Sequence, residues 1–148
     1  MTKHSIMNSE GFGISNGVST IIALLAGFVA ADVSKVPVVS AMISLLLTDP
    51  LSDSYSIYIS MKDTDKDEAF RKFMGTFKTQ LFIQALFLII VVLSPSIYLS
   101  FIISCVIGLI MVLYDFNKRL KDKKEILIEL SKIIGIIILV FVVNKSFL

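Results

Sequence analysis

The sequence predicts an all-α polytopic membrane protein with five transmembrane helices, and three observations predict it. Of 148 residues, 55% are apolar and only 18% are charged, against about 25% charged in an ordinary soluble domain. Charge is missing altogether from residues 11–31 and from 79–114, a run of 36 positions. Apolar stretches longer than about 18 residues are read as membrane spans. Mean hydropathy is +0.86, which excludes a disordered chain. A single cysteine, Cys105, excludes an internal disulfide framework. Residues 1–148 are expected to form one transmembrane domain.

The first span is predicted at 12–31. Residues 1–10 have no apolar core of their own, so no signal peptide is expected and the first span serves as the targeting signal. His4 reads as a free tail residue. The second span, 36–61, is long for a bilayer crossing of about 20 residues and is expected to tilt or project. The third covers 76–93 and the fourth 97–114. Ser94, Pro95 and Ser96 form the turn between them, because proline cannot continue a helix. The fifth runs over 126–144. Within 64–77, Phe70, Phe73, Met74 and Phe77 recur at i, i+3, i+4, i+7, flanked by Arg71, Lys72 and Lys78. That pattern fits either a short interfacial amphipathic helix or an extension of the third span.

Charge placement orients the chain. Lys62, Lys66, Arg71, Lys72 and Lys78 follow span two, and Lys118, Arg119, Lys121, Lys123 and Lys124 follow span four, against Lys35 alone after span one. Positive loops stay in the cytoplasm, which puts the N-terminus there too. These loops read as membrane-facing charge, and no nucleic-acid partner is expected.

Chemistry is expected in spans one and two. Asp49 and Asp53 stand one helical turn apart, on one face. A carboxylate at bilayer depth costs a few kcal/mol and nearly always faces a cavity or a partner. Ser44, Thr48, Ser52, Ser56 and Ser60 lie on or beside that face, and Pro50 leaves a carbonyl of residues 43–46 without its helix donor. Two ionised carboxylates so close repel, so a cation or protons must offset their charge; metal and protons then exchange at one place. Ser15, Asn16 and Ser19 in span one are expected to complete the shell, and Glu10 to attract cations at the cytoplasmic mouth. Met61 and other methionines add thioether, which with carboxylate suits Fe²⁺ better than Ca²⁺ or Mg²⁺. Gly13 and Gly17, continued by Ala23, Gly27 and Ala31, allow close helix approach, either within the chain or between two copies.

Other chemistries are set aside. Asp63, Asp65, Asp67 and Glu68 do not make a calcium loop, since its sixth position is Glu68 and its twelfth Met74 where glycine and glutamate are required. The metal-binding aspartate motif of phospholipid head-group transferases is incomplete. No catalytic triad, histidine cluster, phosphate loop or zinc spacing is present, so no enzyme activity and no resident cofactor are expected.

The segments Gly13-Ile-Ser-Asn-Gly-Val-Ser-Thr-Ile-Ile-Ala-Leu-Leu-Ala-Gly-Phe and Asp49-Pro-Leu-Ser-Asp-Ser-Tyr-Ser-Ile-Tyr-Ile-Ser resemble the first two spans of the vacuolar iron transporter family. The resemblance covers about residues 10–61 by motif and the rest by topology. It implies a homodimer exchanging Fe²⁺ or Mn²⁺ for protons and moving metal out of the cytoplasm, along a path between protomers lined by spans one and two. Under it Gly13 and Gly17 match, Asn16 falls where the family has its transport Asp, and Asp53 where it has its transport Met. Ile57 stands where the family often has Glu. The family's glutamate-rich cytoplasmic domain between spans two and three has no counterpart.

The expectation is therefore a minimal divalent-metal transporter in a vacuolar or other organelle membrane, or in the plasma membrane. Its metal ligands would be Asp49 and Asp53, helped by Asn16, Ser15, Ser19 and Met61. A non-transporting scaffold or assembly subunit is the alternative.

Overall fold

A computed structural model of the chain describes residues 9–119 and 123–147. They form five helices: α1 (Ser9–Ala30), α2 (Lys35–Met61), α3 (Lys66–Leu93), α4 (Ile97–Arg119) and α5 (Lys123–Phe147). Four of them are long and apolar enough to cross a membrane: Gly11–Ala30, Lys35–Met61, Lys66–Leu93 and Ile97–Lys118. This is the composition of a multi-pass membrane protein. The fifth span, expected at 126–144, falls on α5, whose described apolar stretch is shorter, Ile134–Val143. The aromatic segment 64–77 does not form a separate helix; from Lys66 onward it is the first part of α3.

Local chemistry explains the boundaries. α1 ends in a left-handed cap: Asp32 has φ 50°, with its N–H on Val29 O and the Val33 N–H on Phe28 O, the bonding of a Schellman motif. Asp65 caps α3, its carboxylate accepting from the Glu68 N–H at 2.9 Å. Glu68 in turn pairs with Arg71 and Lys72. The acidic run 63–68 thus starts a helix and screens its basic neighbours. At the far end of α3, Lys35 donates to Val92 O at 2.6 Å and Ser94 O at 2.7 Å, satisfying carbonyls that the helix end leaves without partners.

Helix α1 is central. Val18, Ile21, Ile22 and Leu25 are buried against Ile83, Phe87 and Val91 of α3 and Val112 and Phe116 of α4. α3 lies between α1 and α2 and packs broadly on both, whereas α1 and α2 barely meet. Glycine sets the α1–α3 spacing. A Cβ at Gly13 would lie 3.1 Å from Thr76 O, and one at Gly17 3.4 Å from Gln80 Cγ. Gly13 and Gly17 are therefore spent on packing inside the chain. At the end of the bundle that carries the α2–α3 loop, Tyr58 of α2 meets Phe73 of α3 edge-on at 6.4 Å, in line with stacked Phe70 and Phe77. Large apolar side chains such as Val36, Leu47, Phe82, Leu93 and Ile110 point outward, as lipid-facing residues do.

In a bilayer such packing relies on contact rather than on the hydrophobic effect, so fit matters. A Cβ at Gly108 would sit 2.7 Å from Val18 Cγ1 and 2.8 Å from Ile22 Cδ1, while nothing lies within 4 Å of one at Gly135. Gly108→Val is expected to cost about 1–3 kcal/mol by overpacking, read as a lower thermal midpoint in detergent. Gly135→Ala should leave that midpoint unchanged or slightly raised.

Candidate functional site

Asp49 stands near the middle of α2, 14 residues from its first residue and 12 from its last, about 20 Å from either end at 1.5 Å per residue. Asp53 follows one turn later. Both are half-buried. Pro50, between them, is buried inside the helix, so no N–H reaches the carbonyl four residues back. The Ser54 hydroxyl donates to Pro50 O at 2.5 Å.

Three amides from two other helices converge on these carboxylates. Gln80 Nε2 donates to Asp49 Oδ2 and to Asp53 Oδ2, each at 2.9 Å. Gln84 Nε2 donates to Asp49 Oδ2 at 2.6 Å. Asn16 Nδ2 of α1 donates to Asp53 Oδ2. The glutamines are fully enclosed, Gln80 at 0% and Gln84 at 1% exposure. Among the described residues neither carboxylate has a Lys or Arg ion-pair partner. The pair is held by neutral N–H groups from α1 and α3, donors that serve carboxylates in either charge state less rigidly than a fixed cation would.

The structure therefore brings Asn16, Asp49 and Asp53 together, and adds Gln80 and Gln84 from a span expected to be inert. Other expected ligands point elsewhere. Ser19 donates its hydroxyl to Ser15 O at 2.7 Å within α1. Ser44, Thr48 and Ser56 bond to carbonyls four residues back on α2 and are exposed, so the hydroxyl stripe serves its own helix. Met61 ends α2, eight residues past Asp53 and about 12 Å along the axis, which removes its thioether from the cluster. The side chain of Glu10 lies outside the described residues, as does His4. No group of three or more His, Cys, Asp or Glu side chains gathers among the described residues, so amides are the nearest additional ligands for any ion held here.

A signal for the glutamines was present in the sequence. Gln80 and Gln84 are the amide side chains of the uncharged 79–114 run, and they repeat the i, i+4 spacing of Asp49 and Asp53. Two helices with matched polar spacing at mid-length pair naturally, because each supplies what the other cannot leave unsatisfied.

No protein-family model, curated protein or solved structure matches this chain.

A double-mutant cycle checks the cluster. Asp49→Ala and Gln84→Leu, alone and together, are expected to couple by about 0.6 kcal/mol, the average for interhelical hydrogen bonds in membranes, and by no more than about 1.7, in reversible unfolding from mixed micelles. Additive effects would contradict the direct bond.

Proposed function

We propose that this chain is a membrane transporter for a divalent cation, with Asp49 and Asp53 as its carrying carboxylates and protons as the counter-ion. The observation that carries the reading is two half-buried carboxylates at mid-span, one turn apart, which among the described residues are offset by no cationic side chain and hydrogen-bonded by neutral amides. Such a pair holds two negative charges only poorly when empty, and a divalent ion or protons relieve them. Intramembrane acidic residues commonly mark ion and proton pathways.

The finer form of the proposal is exchange of Fe²⁺ or Mn²⁺ for protons, out of the cytoplasm, with the N-terminus and both basic loops on the cytoplasmic side. A homodimer fits the sparse contact between α1 and α2. Asn16 of α1 meets Asp53 of α2 at that border, and a second copy seated there would cover the carboxylates. The resemblance of residues 10–61 to vacuolar iron transporters supports the same choice of ion and path.

A scaffold reading has one observation in its favour: the amides that satisfy the carboxylates belong to the same chain, so the cluster also serves as a three-helix fastening. Transport separates the two. Proteoliposomes holding the purified protein should take up Mn²⁺ or Fe²⁺ under an imposed pH gradient and move protons the other way. Asp53→Asn and Asp49→Asn should reduce uptake to the level of empty liposomes while the protein stays folded. Wild-type liposomes that take up neither ion, or an Asp53→Asn rate equal to wild type, would overturn the proposal in favour of the scaffold.

A further inference from the structure

The far ends of the two glutamine amides are unexplained by a role as donors. Gln80 Oε1 and Gln84 Oε1 are both buried and have no hydrogen-bond partner among the described residues. A buried acceptor left unmade costs about 1–3 kcal/mol, and here two occur side by side, on the side chains that reach into the carboxylate pair. An amide has two ends of nearly equal size, joined to its stem by a soft torsion. Half a turn exchanges them. The back of each amide then holds an unpaired donor instead of an unpaired acceptor, at similar cost. What decides the orientation is therefore the front: carboxylates alone attract the N–H end, and a cation between them attracts the oxygen end.

We propose that Gln80 and Gln84 are cation ligands, binding through Oε1 after their amides rotate, and that the site they complete takes a hard divalent ion. This rests on the transport reading above. With both amides turned, two carboxylates and two amide oxygens face one point, and Asn16 can offer a fifth oxygen by the same rotation. The donor set is oxygen throughout and carries two negative charges. Carboxylate and carbonyl oxygens suit Mg²⁺, Ca²⁺ and Mn²⁺ rather than soft ions. Of the described sulfur side chains, Met61 is at the end of α2 and Cys105 lines an apolar cavity between α1, α4 and α5, and neither is among the groups that touch the carboxylates. Among the expected cargoes the all-oxygen set favours Mn²⁺.

The test uses the purified full chain and Mn²⁺ as the probe, with folding followed by circular dichroism. Gln84→Glu removes the N–H donor but keeps an oxygen in place, and Gln84→Leu removes both. A ligand role predicts that Gln84→Leu weakens Mn²⁺ binding by about tenfold or more, while Gln84→Glu retains or strengthens it. A role as donor alone predicts that Gln84→Leu, which frees Asp49 of a competing N–H, leaves Mn²⁺ binding unchanged or tighter, and that outcome would overturn the inference. A second measurement needs no variant. With ¹³C at the glutamine side-chain carbonyl, Mn²⁺ saturation should shift the amide C=O stretch to lower frequency, and an unshifted band would refute ligation. A wild-type protein that binds no Mn²⁺, Mg²⁺ or Ca²⁺ would defeat the transport reading itself; wild-type binding with Gln84→Leu unaffected would defeat only the role given to the glutamines.

Discussion

A carboxylate in the middle of a membrane helix must find partners within the protein, because lipid offers none. Here that requirement falls on two residues at once, and the arrangement of three helices follows from it. α3 stands between α1 and α2, where its Gln80 and Gln84 reach both carboxylates. α1 is drawn close enough for Asn16 to contribute, and its glycines make the approach possible: Gly17 sits directly over the stem of Gln80. Helix spacing and the polar cluster are thus one design. Bulk at Gly17 would displace the amide on which both aspartates depend.

The choice of amides over charged partners has chemical meaning. A lysine or arginine in their place would neutralise one aspartate permanently and leave little reason for an ion to enter. Neutral N–H donors quiet the carboxylates without cancelling them, so the negative charge stays available. The exposed hydroxyls of α2 show the opposite treatment. Bonded to their own backbone carbonyls, they are already satisfied, and that face can lie against lipid at little cost.

Much of the fold was legible because membrane spans are written in long runs without charge. Residues 11–31 and 79–114 announce α1, α3 and α4 plainly, and Ser94-Pro95-Ser96 marks the turn between the last two. The start of α3 is ambiguous in sequence, since Phe70, Phe73 and Phe77 give the same periodicity to a separate surface helix and to an extension of the third span; the unbroken helix from Lys66 to Leu93 is the extension. Within the site, Asp49, Asp53 and Asn16 were identifiable as residues too polar for their depth. Gln80 and Gln84 escape a reading that starts from the intramembrane carboxylates and the polar end of span one, because they stand in a run with no charged residue. The serines were over-read: spacing places a hydroxyl on a face but does not tell whether it bonds outward or to its own helix. Gly13 and Gly17 signalled close approach correctly, yet a small-residue stripe does not name the helix that approaches.

Lys35 gives the bundle a mechanical asymmetry. It grips the carbonyls of Val92 and Ser94, while 14 residues further along α2, about 21 Å at helical rise, Asp49 is gripped by both glutamines. The α2–α3 hairpin is thereby tied at two heights, and Asn16 of α1 adds a tie from a third helix at the lower of the two.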